Sequence, residues 1–434
     1  MANFKVDFHQ AVKPVKAMHG VGQPPLTDLK FSMFHYLKDA GIPYARLHDV
    51  GGFFGEGLWV DIPNLFRDFD ANPYDPDSYD FAFTDLLINA LIENGVEPYF
   101  RLGVTIENYA KVKAYRVKPP KDFKKWAIIC EHIIRHYTEG WANGFHHTIT
   151  YWEIWNEPDN SRHYETCQTW QGTKEEFFEL YTVSAKHLKQ KFPHLKIGGY
   201  GSCGFYNLTG SDGSFSMSEA ATKYFMDFFD AFLQYIRAEN APLDFFSWHS
   251  YDAEIENNRI YAEYARKRLD DFGYTHTETS CNEWNPRVNL RGTYEHASVI
   301  LGNMLMFQDT PLDNAIFYDA RLGVSVYGSM FNPLTCLPFP AYYAFTAYQR
   351  LYSRETQTAL EKDDPEVYAL AASDADSAAI VIANPTGEEK PLSITCDGTF
   401  ASCLITADGK DDEEIPEILT ILPPFSILSI TYTL

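Results

Sequence analysis

The run Tyr151-Trp152-Glu153-Ile154-Trp155-Asn156-Glu157-Pro158 decides the fold. Its bulky apolar residues read as a short buried strand, and Asn156 and Pro158 around the terminal Glu157 fix the backbone at a strand end rather than in a mobile loop. A second run, Thr277 to Glu283, leads into Trp284-Asn285 and likewise ends in a carboxylate. A carboxylate at the end of a buried strand is where barrel enzymes keep their chemistry.

Working outward, six more short apolar, β-branched or aromatic runs join these two, with helical patterns between them. They are Val15 to Val21, Pro43 to Asp49, Val96 to Leu102, Leu195 to Tyr200, Asp244 to His249 and Asn314 to Asp319, and the strand around Glu157 spans Thr148 to Trp155. Alternation of this kind predicts a parallel sheet with crossover helices, and eight strands over this length predict a (β/α)8 TIM barrel within residues 15–350. Helices are expected at Phe81 to Asn94, Lys121 to His136, Lys174 to Phe192, Ala220 to Glu239 and Arg259 to Phe272, several of them closed by Gly or Pro. The stretch Gly51 to Tyr79, rich in Gly, Pro, Asp and aromatics, predicts a loop over the active face. From about Leu351 short alternating runs such as Ala378 to Ala383, Pro391 to Thr395 and Ile418 to Thr433 predict a small antiparallel β-sandwich domain over residues 351–434. Residues 1–14 form a separate N-terminal segment in which Phe4 to Phe8 can add a strand to that domain.

The chain has 434 residues, 45% of them hydrophobic, enough to bury a large core. A formal net charge of −23 argues against nucleic-acid and anionic-membrane partners, which would be repelled on approach. Seven cysteines without a CxxC spacing indicate neither a disulfide framework nor a zinc knuckle, so a reducing compartment is expected. With no basic-then-apolar leader and no apolar stretch long enough to span a bilayer, the expected location is cytoplasmic. A homo-oligomer is compatible with the sequence and not specified by it.

Glu157 and Glu283, on the fourth and seventh strands, would face each other across the barrel mouth. Two carboxylates so placed suit cleavage of a glycosidic bond, one held protonated by burial and by its neighbour, the other ionised to attack the anomeric carbon. Arg46 and His48 lie two apart on the second strand and can both point inward, Arg46 to hold the nucleophile ionised and His48 to touch a hydroxyl. His249 and Tyr251 repeat the spacing at the sixth strand. His48 and Tyr251 read equally as hydrogen-bonded wall residues, and Asp49 at the same rim can be either. Among nearby rings, Trp284 and Tyr318 are the candidates for the pocket, Trp59 lies near the mouth, and Trp152 and Trp155 read as barrel core.

Trp155-Asn156-Glu157-Pro158 and Asn282-Glu283-Trp284-Asn285 resemble the corresponding strand ends of clan A glycoside hydrolases, above all family 39, the β-xylosidase and α-L-iduronidase group. The resemblance extends over nearly the whole chain, a barrel followed by a β domain. It implies that Glu157 is the acid/base, that Glu283 is the nucleophile contacted by the imidazole or aromatic hydroxyl of the sixth strand, and that Asn156 binds a sugar 2-hydroxyl. The seventh-strand motif in that family commonly reads Thr-Glu-Trp-Asn, so Asn282 is a departure that bears on substrate identity. The expected substrate is a short imported oligosaccharide, a β-xyloside or α-L-arabinoside, cleaved with retention. A uronate would need several cations at the pocket, for which Arg101, Arg287, Arg291 and Arg321 lie near strand ends.

Two other classes have signals in the sequence. Gly199-Tyr200-Gly201-Ser202-Cys203-Gly204 matches a dinucleotide fingerprint, yet Phe205 to Ser216 reads as loop where the fingerprint needs a helix, so an NAD-dependent oxidoreductase is disfavoured. A glycan-binding barrel without turnover is disfavoured by the presence of both carboxylates. His132 and His136 lack the Glu of a zinc-protease motif, His146-His147 has no partner set, and Cys203 and Cys281 read as small apolar residues. No metal and no cofactor are expected.

Overall fold

The structure, a computed structural model, describes residues 2–25, 31–50, 59–105, 117–213, 216–322 and 326–434. Strand β1, Ala2–Pro14, belongs to the C-terminal sheet. The next eight strands are β2 (Ala17–Gly22), β3 (Tyr44–Leu47), β4 (Glu97–Leu102), β5 (Tyr151–Ile154), β6 (Lys196–Ser202), β7 (Phe245–Ser250), β8 (Glu278–Trp284) and β9 (Asn314–Phe317). They pair in parallel in that order and β9 closes on β2, giving the eight-stranded barrel that the alternation predicts. Every one of the eight runs read from the sequence contributes one barrel strand.

Among the described residues, helices α1 (Phe34–Asp39), α2 (Ile62–Leu65), α3 (Ala82–Glu93), α4 (Phe123–Glu139), α5 (Lys174–Lys191), α6 (Glu219–Ala238), α7 (Ile255–Asp271), α8 (Tyr294–Gln308) and α9 (Pro340–Tyr352) accompany the strands. Their starts follow from local chemistry. Thr173 caps α5 with a reciprocal bond to Glu176, and Asp122 accepts the amides of Lys124 and Lys125 at the head of α4. Of the loop expected over the active face, residues 51–58 lie outside the described residues.

Side chains alternate between the barrel interior and the helix layer. Tyr44, Tyr99, Tyr151, Phe245 and Ile316 form an apolar plug inside the barrel, Tyr99 stacked on Tyr151 with centroids 4.9 Å apart. Trp152 and Trp155 lie on the other side of the wall, Trp152 stacked on Phe100 and Trp155 against Trp126 and Trp170. They are core residues, as the sequence suggests, but of the strand-helix layer and not of the barrel interior.

Strands β10 (Thr356–Lys362), β11 (Tyr368–Ser373), β12 (Ser377–Asn384), β13 (Lys390–Thr395), β14 (Thr399–Ala407), β15 (Lys410–Ile415), β16 (Ile421–Leu422) and β17 (Ser426–Thr433) build the C-terminal domain. With β1 they form one nine-stranded sheet, ordered β15-β14-β17-β12-β11-β10-β1-β13-β16. The sheet folds over on itself: β1 and β17 stand four strand spacings apart, about 19 Å if flat, yet the rings of Phe8 and Tyr432 are 5.2 Å apart. It encloses its own core of Phe4, Val6, Phe8, Ile380, Leu428 and Ile430. Unlike the purely antiparallel sandwich the sequence suggests, β1 runs parallel to β13.

Candidate active site

Arg46, fully buried on β3, organises the barrel mouth. Its Nε donates to Glu153 Oε2 at 2.7 Å, its Nη1 to Glu283 Oε2 at 2.9 Å and its Nη2 to Asn156 Oδ1 at 2.5 Å. One planar guanidinium therefore ties together β5, its following loop and β8, a task that needs the fixed fork of arginine. Tyr251 donates its hydroxyl to the other oxygen of Glu283 at 2.5 Å. His249 stands between the two carboxylates, Nδ1 at 2.7 Å from Glu157 Oε1 and Nε2 at 3.6 Å from Glu283 Oε2. One oxygen of Glu157, one ring nitrogen of His249 and one oxygen of Glu283 all lie within 4.8 Å of one another. The trio is also compact enough to ligate a cation, a grouping that no sequence spacing announces because it draws on three separate strand ends.

Backbone irregularities aim these groups. Opposite Trp248 and His249 the register of β8 skips from Cys281 to Glu283, so the extra residue, Asn282, forms a bulge. The bulge turns both Asn282 and Glu283 inward and sends Trp284 out. Trp155 and Glu157 adopt left-handed φ values of 72° and 46°, a conformation that costs such residues about 1–3 kcal/mol. It is held by the Glu157 amide donating to Gly201 O at 3.0 Å and by Thr169 Oγ1 donating to Glu157 O at 2.5 Å. Asp159, also buried, accepts from Ser202 Oγ at 2.8 Å and from the Cys203 amide, which pins the same loop to β6.

Burial pushes the Glu157 carboxyl up to about 7, against the opposing pull of Asn160 and Arg46. Glu283 is raised by burial too, and by Glu157, while His249 and Arg46 oppose the rise. Both oxygens of Glu283 take a donor, from Arg46 and from Tyr251, whereas Glu157 takes the Asn160 amide at 3.0 Å and faces an imidazole. Of the pair, Glu283 ionises first and the proton stays on Glu157. Burial holds His249 down to about 4 and His48 well below the usual histidine range, so both rings are neutral at neutral pH.

The structure thus joins Glu157, Glu283, Asn156, Arg46, His249 and Tyr251 in one network. His48 and Asp49 adjoin it, with His48 Nε2 at 3.3 Å from Asp49 Oδ1. Tyr318 donates to Asp49 Oδ2 at 2.9 Å and meets Tyr251 and Tyr327 edge-on. Trp284 is the correction: it is buried in the helix layer against Phe307 and Phe317, because its neighbour Glu283 takes the inward place. Trp59 stacks on Phe83 of α3. The guanidiniums near the strand ends are engaged, Arg101 with Asp61, Arg287 with Glu254 and Glu295, and Arg321 with Asp319.

Sequence reasoning passed over Glu153, Asn160, Asp319 and Tyr327. Glu153 had a signal, a carboxylate in the middle of a buried strand, and it accepts from Arg46, Ser247 and Asn282. The others come from loops, where no periodicity predicts direction. The glycine fingerprint has another use here. Gly201, at φ 65°, leaves so little room that a Cβ would come within 3.0 Å of His249 Nε2 and 3.1 Å of Asn156 Oδ1, and at Gly204 one would come within 2.4 Å of His249 O. These glycines let β6 pass close under the site. His132 and His136 are packing groups, His136 stacked on Phe81 and bonded to Asp85.

Among proteins of known description, the chain is 25% identical over 217 residues to a β-xylosidase of Geobacillus stearothermophilus, covering 48% of this chain and 38% of that protein. It is 23% identical over 389 residues to a β-xylosidase of Caldicellulosiruptor saccharolyticus, covering 82% of this chain and 71% of the relative. The first match thus spans well under two thirds of its relative. Among solved structures, a glucosidase from Croceicoccus marinus superposes with a TM-score of 0.80 at 20% identity, covering 100% of this chain and 99% of the other, which shows a shared fold. The family model of glycosyl hydrolases family 39 matches residues 27–272, more than half of the 434 residues, and the chain therefore belongs to that family.

Proposed function

We propose that the protein is a retaining glycosidase acting on neutral sugars, with β-xylosides the favoured substrates, α-L-arabinosides next, and Glu157 and Glu283 as its catalytic residues. The observation that carries this reading is the approach of the two carboxylates, with one oxygen of each inside 4.8 Å. Retention requires a gap of about 5–5.5 Å, whereas inversion needs roughly 6.5–9.5 Å to admit a water between carboxylate and sugar. In the first step Glu283 attacks the anomeric carbon while Glu157 passes its proton to the departing oxygen. In the second, Glu157, now a carboxylate, takes a proton from water as that water displaces Glu283. Asn156 suits the 2-hydroxyl, because Arg46 occupies its Oδ1 and its buried Nδ2 has no partner among the described residues. The β-xylosidase relatives support the sugar assignment, and the glucosidase of similar fold makes a β-glucoside the comparison substrate.

Charge supports a neutral substrate. Arg46, Arg101 and Arg321 are each engaged by a carboxylate, so none of the three is left to pair with a uronate. Seven unpaired cysteines support residence in a reducing compartment. The test is a panel of aryl glycosides with NMR of the first-formed anomer. Retention is expected, with kcat falling by about 10³-fold or more in Glu283→Ala. Glu157→Ala should lose activity on poor leaving groups, and on an activated aryl glycoside, whose departure needs no acid, azide should speed turnover by taking the place of water in the second step. A first product of inverted configuration, or full activity in Glu283→Ala, sinks the assignment. Unchanged turnover in excess chelator is expected as well, and loss of turnover restored by a divalent cation would make the Glu157, His249 and Glu283 trio a metal centre instead.

A further inference from the structure

Glu153, beneath the proposed catalytic pair, fixes the orientation of a neighbour. Its Oε2 accepts from Arg46 Nε at 2.7 Å, and its Oε1 accepts from Ser247 Oγ and Asn282 Nδ2, each at 2.6 Å. Of the polar atoms of Asn282 only the amide nitrogen can donate, so it is the NH2 that faces Glu153. The carbonyl Oδ1 of Asn282 is then turned away from Glu153. It is buried without a hydrogen bond of normal geometry among the described residues, and so is His249 Nε2. The bulge sets Asn282 beside His249 on the neighbouring strand, and within the net lowering by burial the Asn282 side chain favours a proton on the ring, the sense in which an accepting carbonyl acts. Gly201 puts no side chain into the space next to Nε2, and the nearest carboxylate oxygen, Glu283 Oε2, stands 3.6 Å away, beyond hydrogen-bond distance.

We propose that Asn282 is a positioning residue that fixes His249 in the Nε2–H tautomer, so that the bare Nδ1 accepts the proton-bearing oxygen of Glu157 and keeps it in its acid form between turnovers. The proposal rests on the reading of Glu157 as the general acid. The opposite tautomer would turn Nδ1–H toward Glu157 at the same 2.7 Å and favour its carboxylate, removing the proton the leaving group needs. The charged and titratable groups facing the ring agree with this choice. Glu283 lies on the Nε2 side at 3.6 Å and favours N–H there. Arg46 opposes a second proton on the ring, His48 is a neutral neighbour, and Glu153 acts through Asn282. Asn282 suits this role because one side chain carries both a donor, used on Glu153, and an acceptor for His249.

Neutron diffraction of the deuterated wild-type protein reads the arrangement directly. Deuterons on His249 Nε2 and on Glu157 are expected, and a deuteron on Nδ1 with Nε2 bare overturns the proposal. In solution, Asn282→Leu removes the acceptor at similar volume. The alkaline limb of kcat/KM should move down by about one pH unit, cutting hydrolysis of alkyl glycosides at pH 7.5 about tenfold. Hydrolysis of a dinitrophenyl glycoside, whose leaving group needs no acid, should change less than about twofold. An unmoved alkaline limb, or equal losses on both substrates, overturns the role of Asn282. If Glu157→Ala retains full activity on alkyl glycosides, the assignment of Glu157 fails instead, independently of the tautomer seen by neutrons.

Discussion

At the scale of single residues, the site depends on groups that serve two partners at once. Arg46 divides one guanidinium among Glu153, Glu283 and Asn156. Lysine has one nitrogen to offer three acceptors, so Arg46→Lys is expected to lower kcat/KM by about 10²–10³-fold with little change in the circular dichroism spectrum. As the proposed general acid, Glu157 should set the pH dependence. Its acid form is lost as pH rises through about 7, so the alkaline limb of kcat/KM should fall near that value. A limb near the ordinary carboxylate value of about 4.5 would show that burial does not control this group. Asp319 illustrates the cost of such a site: fully buried and faced by Arg321 at 3.4 Å, it is raised by burial to about 7. Because the folded value lies above the unfolded one, the folded state binds the extra proton, and stability is lost as pH rises from about 4 through 7. Asp319→Asn should therefore stabilise the protein by on the order of 2–4 kcal/mol at pH 8 and by almost nothing at pH 4, measured by denaturant titration at the two pH values.

Elements show why part of the architecture was legible. The barrel strands are short apolar runs, and their positions follow from composition alone, as Val96 to Leu102 and Asp244 to His249 do. Helices α4 and α6 carry one apolar face and announce themselves by period. Helix α8 does not, because residues 296–308 are all buried, pressed between the barrel on one side and the C-terminal sheet on the other. A helix covered all round has no polar stripe to reveal it, and neither α8 nor α9 was read as a helix. Gly201→Ala combines a left-handed φ with a Cβ 3.0 Å from His249 Nε2, so displacement of the imidazole should lower kcat at least tenfold while costing about 1 kcal/mol of stability. Wild-type kcat in this variant would mean that β6 yields without disturbing the ring.

For the whole molecule, the barrel and the C-terminal sheet share a core. Leu370, Ala372, Ala379, Val381 and Ile427 from the sheet belong to the same buried cluster as the barrel helices, and β1, from the N-terminal end, lies between β10 and β13. Loosely apposed domains melt separately, whereas a shared apolar interface couples them. Thermal unfolding should follow one transition by both near-UV and far-UV circular dichroism. Phe8→Ala, in the sheet's own core, should lower that single midpoint at a cost of about 3–5 kcal/mol. Two resolved transitions would contradict the coupling.

The amino-acid sequence by itself determined the eight barrel strands, the β texture of the C-terminal part, and the two carboxylates at the ends of β5 and β8, because buried strands and strand ends leave local signatures in residue type. Only the tertiary structure decided which side chains meet. A bulge of one residue at Asn282 reversed the direction expected of Trp284 and brought Asn282 and Glu283 inward together. Left-handed residues at Trp155 and Glu157 re-aimed the Glu157 carboxyl, and Glu153 found its partners on β3, β7 and β8. Direction at a bulge or in a left-handed turn is set by contacts with neighbouring strands, and these are distant in sequence.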